Sequence, residues 1–428
     1  MNVDRFLNSL INYEKAPAYD YDLAAFRSFL NRIGSPQEQL KNVILIAGTK
    51  GKGSTCAILN SCLVAAGYRV GMYTSPHLKI VNERIRINNR PISDRELARL
   101  AVKIKPYIKY REREGARTYF EALTAIAFLH FVLHKVDLTI LEVGLGGRRD
   151  ATNVSHPIIS VITRVGYDHT NLLGNKLSGI AYEKAGIIHP PGAAPATTIT
   201  VHQRPIAERI IKGEAGKNKN RLIFAENLHD FRIRMPTLAG TGYRITGKLG
   251  AFDAFLPLAG VHQRENLALA LAVLNELKSR DFNIKIPAVR RGIKRTRLSG
   301  RFETLSRNPL VIYDVAHNED SFRALEKNLE LLRGKNLYLI FGCSSDKDIS
   351  YCVKNIFPKA RQVYLVKADH PRAMEPSIIM KKARGIETNI SALGSVQEAL
   401  GRLRHSNDRN AAVVICGSFY LYPQLGKS

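Results

Sequence analysis

The stretch Asn42-Val43-Ile44-Leu45-Ile46-Ala47-Gly48-Thr49-Lys50-Gly51-Lys52-Gly53-Ser54-Thr55 decides the fold. Its first six residues are a short apolar run that ends at a glycine, the pattern of a buried strand. A helix is expected from about Ser54 to Ala66. The turn between them holds three glycines and two lysines. In a strand–turn–helix unit such a turn lets backbone N–H groups curl around phosphate oxygens, and the helix N-terminus adds its positive end. Lys52 would reach the β- and γ-phosphates, and the Ser54 hydroxyl would ligate Mg²⁺. The usual phosphate-loop pattern is not fully kept. Its first glycine would fall at Ile46, and Gly53 stands between Lys52 and the hydroxyl residue. Thr49, Lys50, Gly51, Lys52, Gly53 and Ser54 are the candidate nucleotide contacts, with ATP as the expected ligand.

Strands and helices alternate on both sides of this stretch. Phe26, Phe29, Leu30 and Ile33 recur at helical spacing, ahead of Gly34-Ser35-Pro36. A second strand is expected over 69–74, a long apolar helix over 119–134, and further strands over 138–143 and 158–165. From about 220 to 258 the pattern loosens into shorter strands, read as antiparallel, and a helix follows over 263–279. Beyond the basic run Arg290-Arg291-Gly292-Ile293-Lys294-Arg295-Thr296-Arg297 a new alternation begins, with strands over 310–313, 337–341, 362–366 and 412–416. The expected fold class is α/β: a phosphate-loop domain with a mostly parallel sheet, residues 1–297, then a smaller Rossmann-like α/β domain, 298–428.

Composition narrows the classes. The chain has 428 residues, 45% hydrophobic and 24% charged, values of a globular protein. It contains no apolar run long enough for a membrane span, and its first residues lack a signal-peptide pattern, so a cytoplasmic protein without a membrane partner is expected. Five cysteines (Cys56, Cys62, Cys343, Cys352, Cys416) form no CxxC pair and read as small core residues. The net charge of +27 invites a polyanion. However, no stretch interleaves the basic residues with aromatics and Trp is absent, so nucleic acid is not expected as a partner. A nucleic-acid-stimulated phosphate-loop ATPase is the alternative of another class.

Other polar residues fall where ligands bind in open α/β sheets, at strand ends. They are Ser75, Glu142 within the strand over 138–143, Asp168-His169, and Glu183-Lys184 at the end of a helix. Glu142 could give Mg²⁺ a carboxylate, or pair with an arginine such as Arg148. His169 reads equally as a structural hydrogen bonder, and Lys184 as a surface partner of Glu183.

Taken in series, the segments resemble the folylpolyglutamate synthase and dihydrofolate synthase family, within the Mur ligase superfamily. The resemblance rests on the loop over 48–54 with its extra glycine, SPHL and ERIRIN (75–88), TYFEALTAIAF (118–128) and LEVGLGGRRDATN (141–153). It continues through DHTNLLG (168–174), EKAGI (183–187), HQRENLALAL (262–271), SGRFE (299–303), DVAHN (314–318), DKD (346–348) and CGSFYL (416–421). These run in order over nearly the whole chain.

The resemblance implies an ATP-dependent ligase that joins L-glutamate to dihydropteroate, to folates, or to both, through an acyl phosphate. It implies two Mg²⁺ ions, one on Ser54 and one on Ser75, Glu142 and His169. Lys184 matches a lysine that carries a carbamate, an oxygen ligand in place of an ammonium that a metal would repel. Lys52, Glu142, His169 and Lys184 thus form the catalytic set. Asn266, Arg301 and Asp314 match ATP contacts, with His317 beside them. Tyr21, Asp22, Leu23, Phe120, Glu121, Arg149, Asp150 and Ala151 lie where the pterin-bearing substrate binds in bifunctional members. Lys50 replaces a frequent asparagine, Ser299 a frequent proline and Arg149 a frequent leucine, the last within that pocket. A monomer is typical of the family, and a monovalent cation is compatible with it. Peptidoglycan-precursor ligases place a whole domain ahead of the loop, where this chain has 47 residues. A ligase confined to folylpolyglutamate synthesis remains the nearer alternative.

Overall fold

The computed structural model describes residues 3–10, 22–108, 118–168, 170–192, 196–405 and 408–426. By its internal contacts the chain forms two compact units. One comprises residues 1–232, 244–254 and 264–296, and the other 233–243, 255–263 and 297–428.

The first unit is built on an eight-stranded sheet. Its strands are β1 (Val43–Ala47), β2 (Val70–Tyr73), β3 (Ile85–Ile87), β4 (Arg90–Pro91), β5 (Leu138–Glu142), β6 (Pro157–Ile162), β7 (Thr197–Thr200) and β8 (Arg221–Phe224). They lie in the order β4-β3-β2-β5-β1-β6-β7-β8. All neighbouring pairs from β2 to β8 are parallel, and β3 and β4 add an antiparallel edge. Every residue of β1 and β5 is buried, as expected of central strands covered on both faces. From β1 the chain winds one way to β2 and β5 and the other way to β6, β7 and β8. The loop after β1 therefore sits at a switch point, outside the carboxyl ends of the strands.

The helix after β1 spans Lys52–Ala65, two residues earlier than expected. Gly51, at φ +93°, turns the chain directly into it, so Lys52, Gly53 and Ser54 form its first turn. The Tyr119–Leu133 helix is apolar on all sides and starts at a capping box. There Thr118 Oγ1 accepts from the Glu121 N–H, and Glu121 Oε2 accepts from the Thr118 N–H. Each fully buried Leu, Ile or Phe along it contributes roughly 1.5–3 kcal/mol.

Four strands of this sheet differ from expectation: the short antiparallel edge of β3 and β4 was not expected, nor were β7 and β8 as parallel strands. Thr197–Thr200 gives no apolar run, yet all four residues are buried. Burial is tolerated because each hydroxyl is satisfied: Thr197 by Glu276, Thr198 by Asn220, Thr200 by the Ile162 carbonyl. Arg221–Phe224, assigned above to the loose region, instead extends the parallel sheet beside β7. Strands β9 (His229–Thr237), β10 (Gly240–Gly247) and β11 (Phe252–Leu256) then form a three-stranded sheet.

The second unit contains a six-stranded sheet of β12 (Glu303–Arg307), β13 (Leu310–Asp314), β14 (Asn336–Phe341), β15 (Gln362–Leu365), β16 (Asn389–Ala392) and β17 (Ala411–Cys416). Its order is β12-β13-β17-β14-β15-β16. The four apolar runs of the sequence are its interior strands. The edges β12 and β16 were not expected, because edge strands are half exposed and their residues are largely polar.

The five cysteines are buried and free. Among the described residues no helix is long and apolar enough to cross a membrane. The basic run lies on the Ile286–Arg295 helix, whose buried face is Ala288, Val289, Gly292 and Ile293. Arg290, Arg291, Lys294 and Arg295 point to solvent, and Arg291 donates to the Ala65 carbonyl at the C-terminus of the Lys52–Ala65 helix. The cluster is the solvated face of an amphipathic helix.

That helix approaches Lys52–Ala65 very closely. A Cβ at Gly292 would lie 2.3 Å from the Cys62 Cα and 2.7 Å from the Ser61 carbonyl oxygen. Gly292→Ala is expected to destabilise the first unit by about 2 kcal/mol or more. The urea midpoint reads this, and an unchanged midpoint would contradict such close packing.

Candidate active site

The loop from Gly48 to Gly51 is shaped by what surrounds it. Gly48 has φ +141°, and a Cβ there would lie 1.9 Å from Thr163 Oγ1. A Cβ at Gly51 would lie 2.1 Å from Asn266 Oδ1, which places the Asn266 amide directly against the loop. Both positions therefore require glycine. The N–H groups of Thr49 and Lys50 donate to the Arg164 carbonyl, at 2.9 and 3.2 Å. Thr49 Oγ1 lies 3.0 Å from both the carbonyl and the N–H of Gly166. Arg164 pairs in turn with Glu265. The loop is thus braced by the segment after β6 and by the helix that carries Asn266.

Two lysines converge on this loop, and a third, Lys50, belongs to it. Lys52 Nζ and Lys184 Nζ both donate to the Gly48 carbonyl, at 3.1 and 3.0 Å. Lys50 faces Asp168 at 3.7 Å. Lys184 is 5% exposed. Burial, reinforced by the positive charge of Lys52 and opposed by Asp168, pushes its pKa down to about 7. It is not a surface partner of Glu183. Glu142, the last residue of β5, is also 5% exposed, and its Oε2 accepts from the Ser75 N–H at 3.3 Å. Arg148, the alternative partner weighed for it, pairs with Glu214 at 2.7 Å and stacks on Tyr182. Gly53 leaves space at the helix start, since a Cβ there would stand 3.7 Å from Glu142 Oε2.

Gly48, Thr49, Lys52, Gly144, Asp168 and Lys184 line a small open cleft. Its cationic amines and the half-buried Asp168 carboxylate, with the helix start and the buried Glu142 close by, suit a polyphosphate with its divalent ions.

The remaining candidates divide. Asp150 is buried, and its carboxylate accepts from the N–H groups of Gly144, Leu145 and Thr152 and from the Thr152 hydroxyl. It shapes the Gly-rich loop after β5. Phe120 packs over Gly144 and lies 5.6 Å from the Tyr73 ring. Glu121 belongs to the helix cap already described, and Asp22 is likewise the N-cap of the Leu23–Arg32 helix. Arg149 is exposed, Ala151 buried and Leu23 half-buried. Tyr21 and His169 lie outside the described residues.

In the second unit, Asp314 ends β13 and accepts from the N–H groups of Phe302 and Ala316. Arg301 and His317 lie 5.6 and 5.5 Å from the Phe419 ring. Three contributors to the loop were not singled out in the sequence: Thr163, Arg164 and Glu265. Their signal was their place after a strand and within HQREN.

The profile of the Mur ligase middle domain matches residues 46–274, and that of the Mur ligase glutamate ligase domain matches 300–419. A dihydrofolate synthase/folylpolyglutamate synthase of Bacillus subtilis (strain 168) is 33% identical over 95% of this chain and 94% of its own. The chain belongs to the dihydrofolate synthase/folylpolyglutamate synthase family of Mur ligases. It is also similar to the crystal structure of Mycobacterium tuberculosis folylpolyglutamate synthase complexed with ADP and AMPPCP. That likeness has a TM-score of 0.89 and 27% identity, over 100% of this chain and 98% of the other. E. coli FolC in complex with DHPP and ADP matches with a TM-score of 0.85 and 28% identity, over 99% and 96%. Within this family the cleft beneath Gly48 is the candidate active site.

The surroundings of Lys184 give a direct expectation. Its acetylation by acetic anhydride, an electrophile whose own reactivity does not titrate, followed by mass spectrometry, should rise through a midpoint near pH 7, because only the neutral amine is a nucleophile. Lys52→Ala should move that midpoint upward by removing a positive neighbour. A midpoint in the ordinary lysine range would contradict the site's electrostatics.

Proposed function

We propose that this chain is an ATP-dependent ligase that joins the amino group of L-glutamate to the carboxylate of dihydropteroate and of folates. The observation that carries the reading is the pair of lysines on the Gly48 carbonyl, one of them, Lys184, buried and with its pKa pushed down to about 7. An ammonium would repel a metal ion, whereas a neutral amine adds CO₂ to give a carbamate, an anionic oxygen ligand, with release of one proton. In this reading residues 1–297 bind the nucleotide and 298–428 form the glutamate-ligase part.

Backbone N–H groups of the loop and Lys52 bind the ATP phosphates, with Asn266 beside them. Ser54 would hold one Mg²⁺, and Ser75, Glu142, His169 and the Lys184 carbamate the other. Mg²⁺ bound there supplies the charge neutralisation that phosphoryl transfer demands. A carboxylate does not react with an amine in neutral water, because its oxygen is a poor leaving group. One carboxylate oxygen attacks the γ-phosphorus, the bond to the β-bridging oxygen breaks, and ADP leaves. Lys52 stabilises the charge on the transferring group. The glutamate nitrogen then attacks the acyl carbon, loses a proton, and expels phosphate bearing that carboxylate oxygen. ATP-contact roles for Arg301, Asp314 and His317 rest on the sequence resemblance.

Support for acceptance of both substrates comes from the Bacillus subtilis relative, named for both activities, and from the E. coli FolC complex with DHPP. Arg149 is exposed, which leaves room for it to turn away from a pterin. We further propose a cytoplasmic monomer.

Phosphate release with ATP, Mg²⁺ and L-glutamate, compared between dihydropteroate and tetrahydrofolate, tests the reading. Release with both is expected. Release with tetrahydrofolate alone would remove the dihydropteroate activity, and release dependent on nucleic acid would overturn the proposal. Lys184→Ala should lower turnover at least about 100-fold with the circular dichroism spectrum unchanged. In ¹³CO₂ the parent enzyme, but not this variant, should show a carbamate resonance. Near-normal turnover of the variant would exclude the carbamate as a ligand the reaction needs.

A further inference from the structure

Away from the cleft, Glu96, His130 and His134 come together on two packed helices. Glu96 lies in the first turn of the Asp94–Ile104 helix. His130 lies in the last turn of Tyr119–Leu133, and His134 is that helix's C-cap residue. Four residues apart, the two imidazoles share one face of the helix, with ring centroids 4.5 Å apart. Glu96 Oε1 lies 3.7 Å from His130 Nδ1 and 3.7 Å from His134 Nε2. One ligand atom from each of the three residues falls within 4.8 Å of the others.

His130 is only 6% exposed, and its Nδ1 is buried with no hydrogen-bond partner. A polar atom left so in a core is costly, and the carboxylate it faces is too far away to be that partner. The spacing has a simpler meaning. Ligand atoms bound to one tetrahedral ion at about 2.0–2.1 Å lie roughly 3.4 Å apart. From these distances we propose that Glu96, His130 and His134 form a binding site for a divalent transition metal of the zinc type, between the Asp94–Ile104 and Tyr119–Leu133 helices.

Two imidazoles and one carboxylate select such an ion over Mg²⁺, which prefers oxygen ligands. The site is therefore chemically distinct from the one proposed for catalysis, and none of its residues lines the cleft under Gly48. His134 has a side chain 46% exposed, so one side is open for a water as the fourth ligand. The competitor for Glu96 is Arg99, which donates to Oε2 at 3.1 Å and to Oε1 at 2.7 Å. Arg99 is 57% exposed, so its ion pair is screened, and it can keep Oε2 while Oε1 turns to the metal. A bound ion would tie the start of one helix to the end of the other.

The test uses the full chain, stripped with a chelator and titrated with Zn²⁺ against a chromophoric competitor in excess Mg²⁺. We expect one Zn²⁺ per chain at micromolar or tighter affinity, with a rise in melting temperature. Co²⁺ in its place should give the intense visible bands of a tetrahedral site. His134→Ala, an exposed change, should weaken Zn²⁺ binding at least about 30-fold and abolish the thermal shift. Mg²⁺-dependent phosphate release should stay unaltered. Glu96→Gln, which keeps shape and removes charge, should weaken binding in the same direction and serves if His134→Ala folds poorly. Absence of saturable binding, or equal affinity in parent and variants, would overturn the assignment.

Discussion

The Gly48 carbonyl accepts hydrogen bonds from two lysines, and the site depends on that shared contact. One lysine comes from the first turn of the helix after β1, the other from the end of the Leu177–Ala185 helix, far along the chain. Both can reach the oxygen only because Gly48 takes a backbone conformation open to glycine, with Thr163 filling the space where a Cβ would stand. The same contact sets two cations side by side under low solvation. Burial makes the ammonium form of Lys184 unfavourable, and the neighbouring Lys52 makes it more so. The geometry of the loop and the lowered pKa of Lys184 are consequences of one arrangement.

The rest of the first unit holds this arrangement in place. Glu142 is delivered by a fully buried central strand, so its position is fixed by the sheet register and by the Ser75 N–H. Asp150 ties the Gly-rich loop after β5 to itself through four donors. Gly147 and Gly186 let that loop lie against the end of the Leu177–Ala185 helix, where a Cβ at Gly147 would meet the Glu183 carbonyl oxygen at 2.6 Å. Positioning by backbone approach is rigid, which suits a reaction that must present a charged nucleophile to a charged phosphoryl group.

Much of the fold was legible because its central strands are largely apolar runs that stop at or just before a glycine, as in Val43–Ala47, Leu138–Glu142 and Ala411–Cys416. What escaped were strands stabilised in other ways. Thr197–Thr200 is buried through hydroxyl hydrogen bonds, and Glu303–Arg307 and Asn389–Ala392 are polar because they are edges. At the site, residue chemistry alone left Glu142 and Lys184 open between surface pairing and a ligand role. The structure removes the surface pairings, because Arg148 is occupied by Glu214 and Lys184 points under the loop. Asp22, Glu121 and Asp150 carry helix-cap and loop hydrogen bonds, which a sequence cannot separate from substrate contacts. The Glu96–His130–His134 grouping was invisible because His130 reads as one polar residue in an apolar helix.

The most direct test of the central claim follows the oxygen atoms. Dihydropteroate labelled with ¹⁸O in its carboxylate is incubated with the enzyme, ATP, Mg²⁺ and L-glutamate, and both products are analysed by mass spectrometry. Ligation through an acyl phosphate in the cleft under Gly48 predicts one ¹⁸O in each released phosphate, with one amide formed for every phosphate. Unlabelled phosphate, or phosphate released without amide, would contradict it and reduce the site to one that hydrolyses ATP.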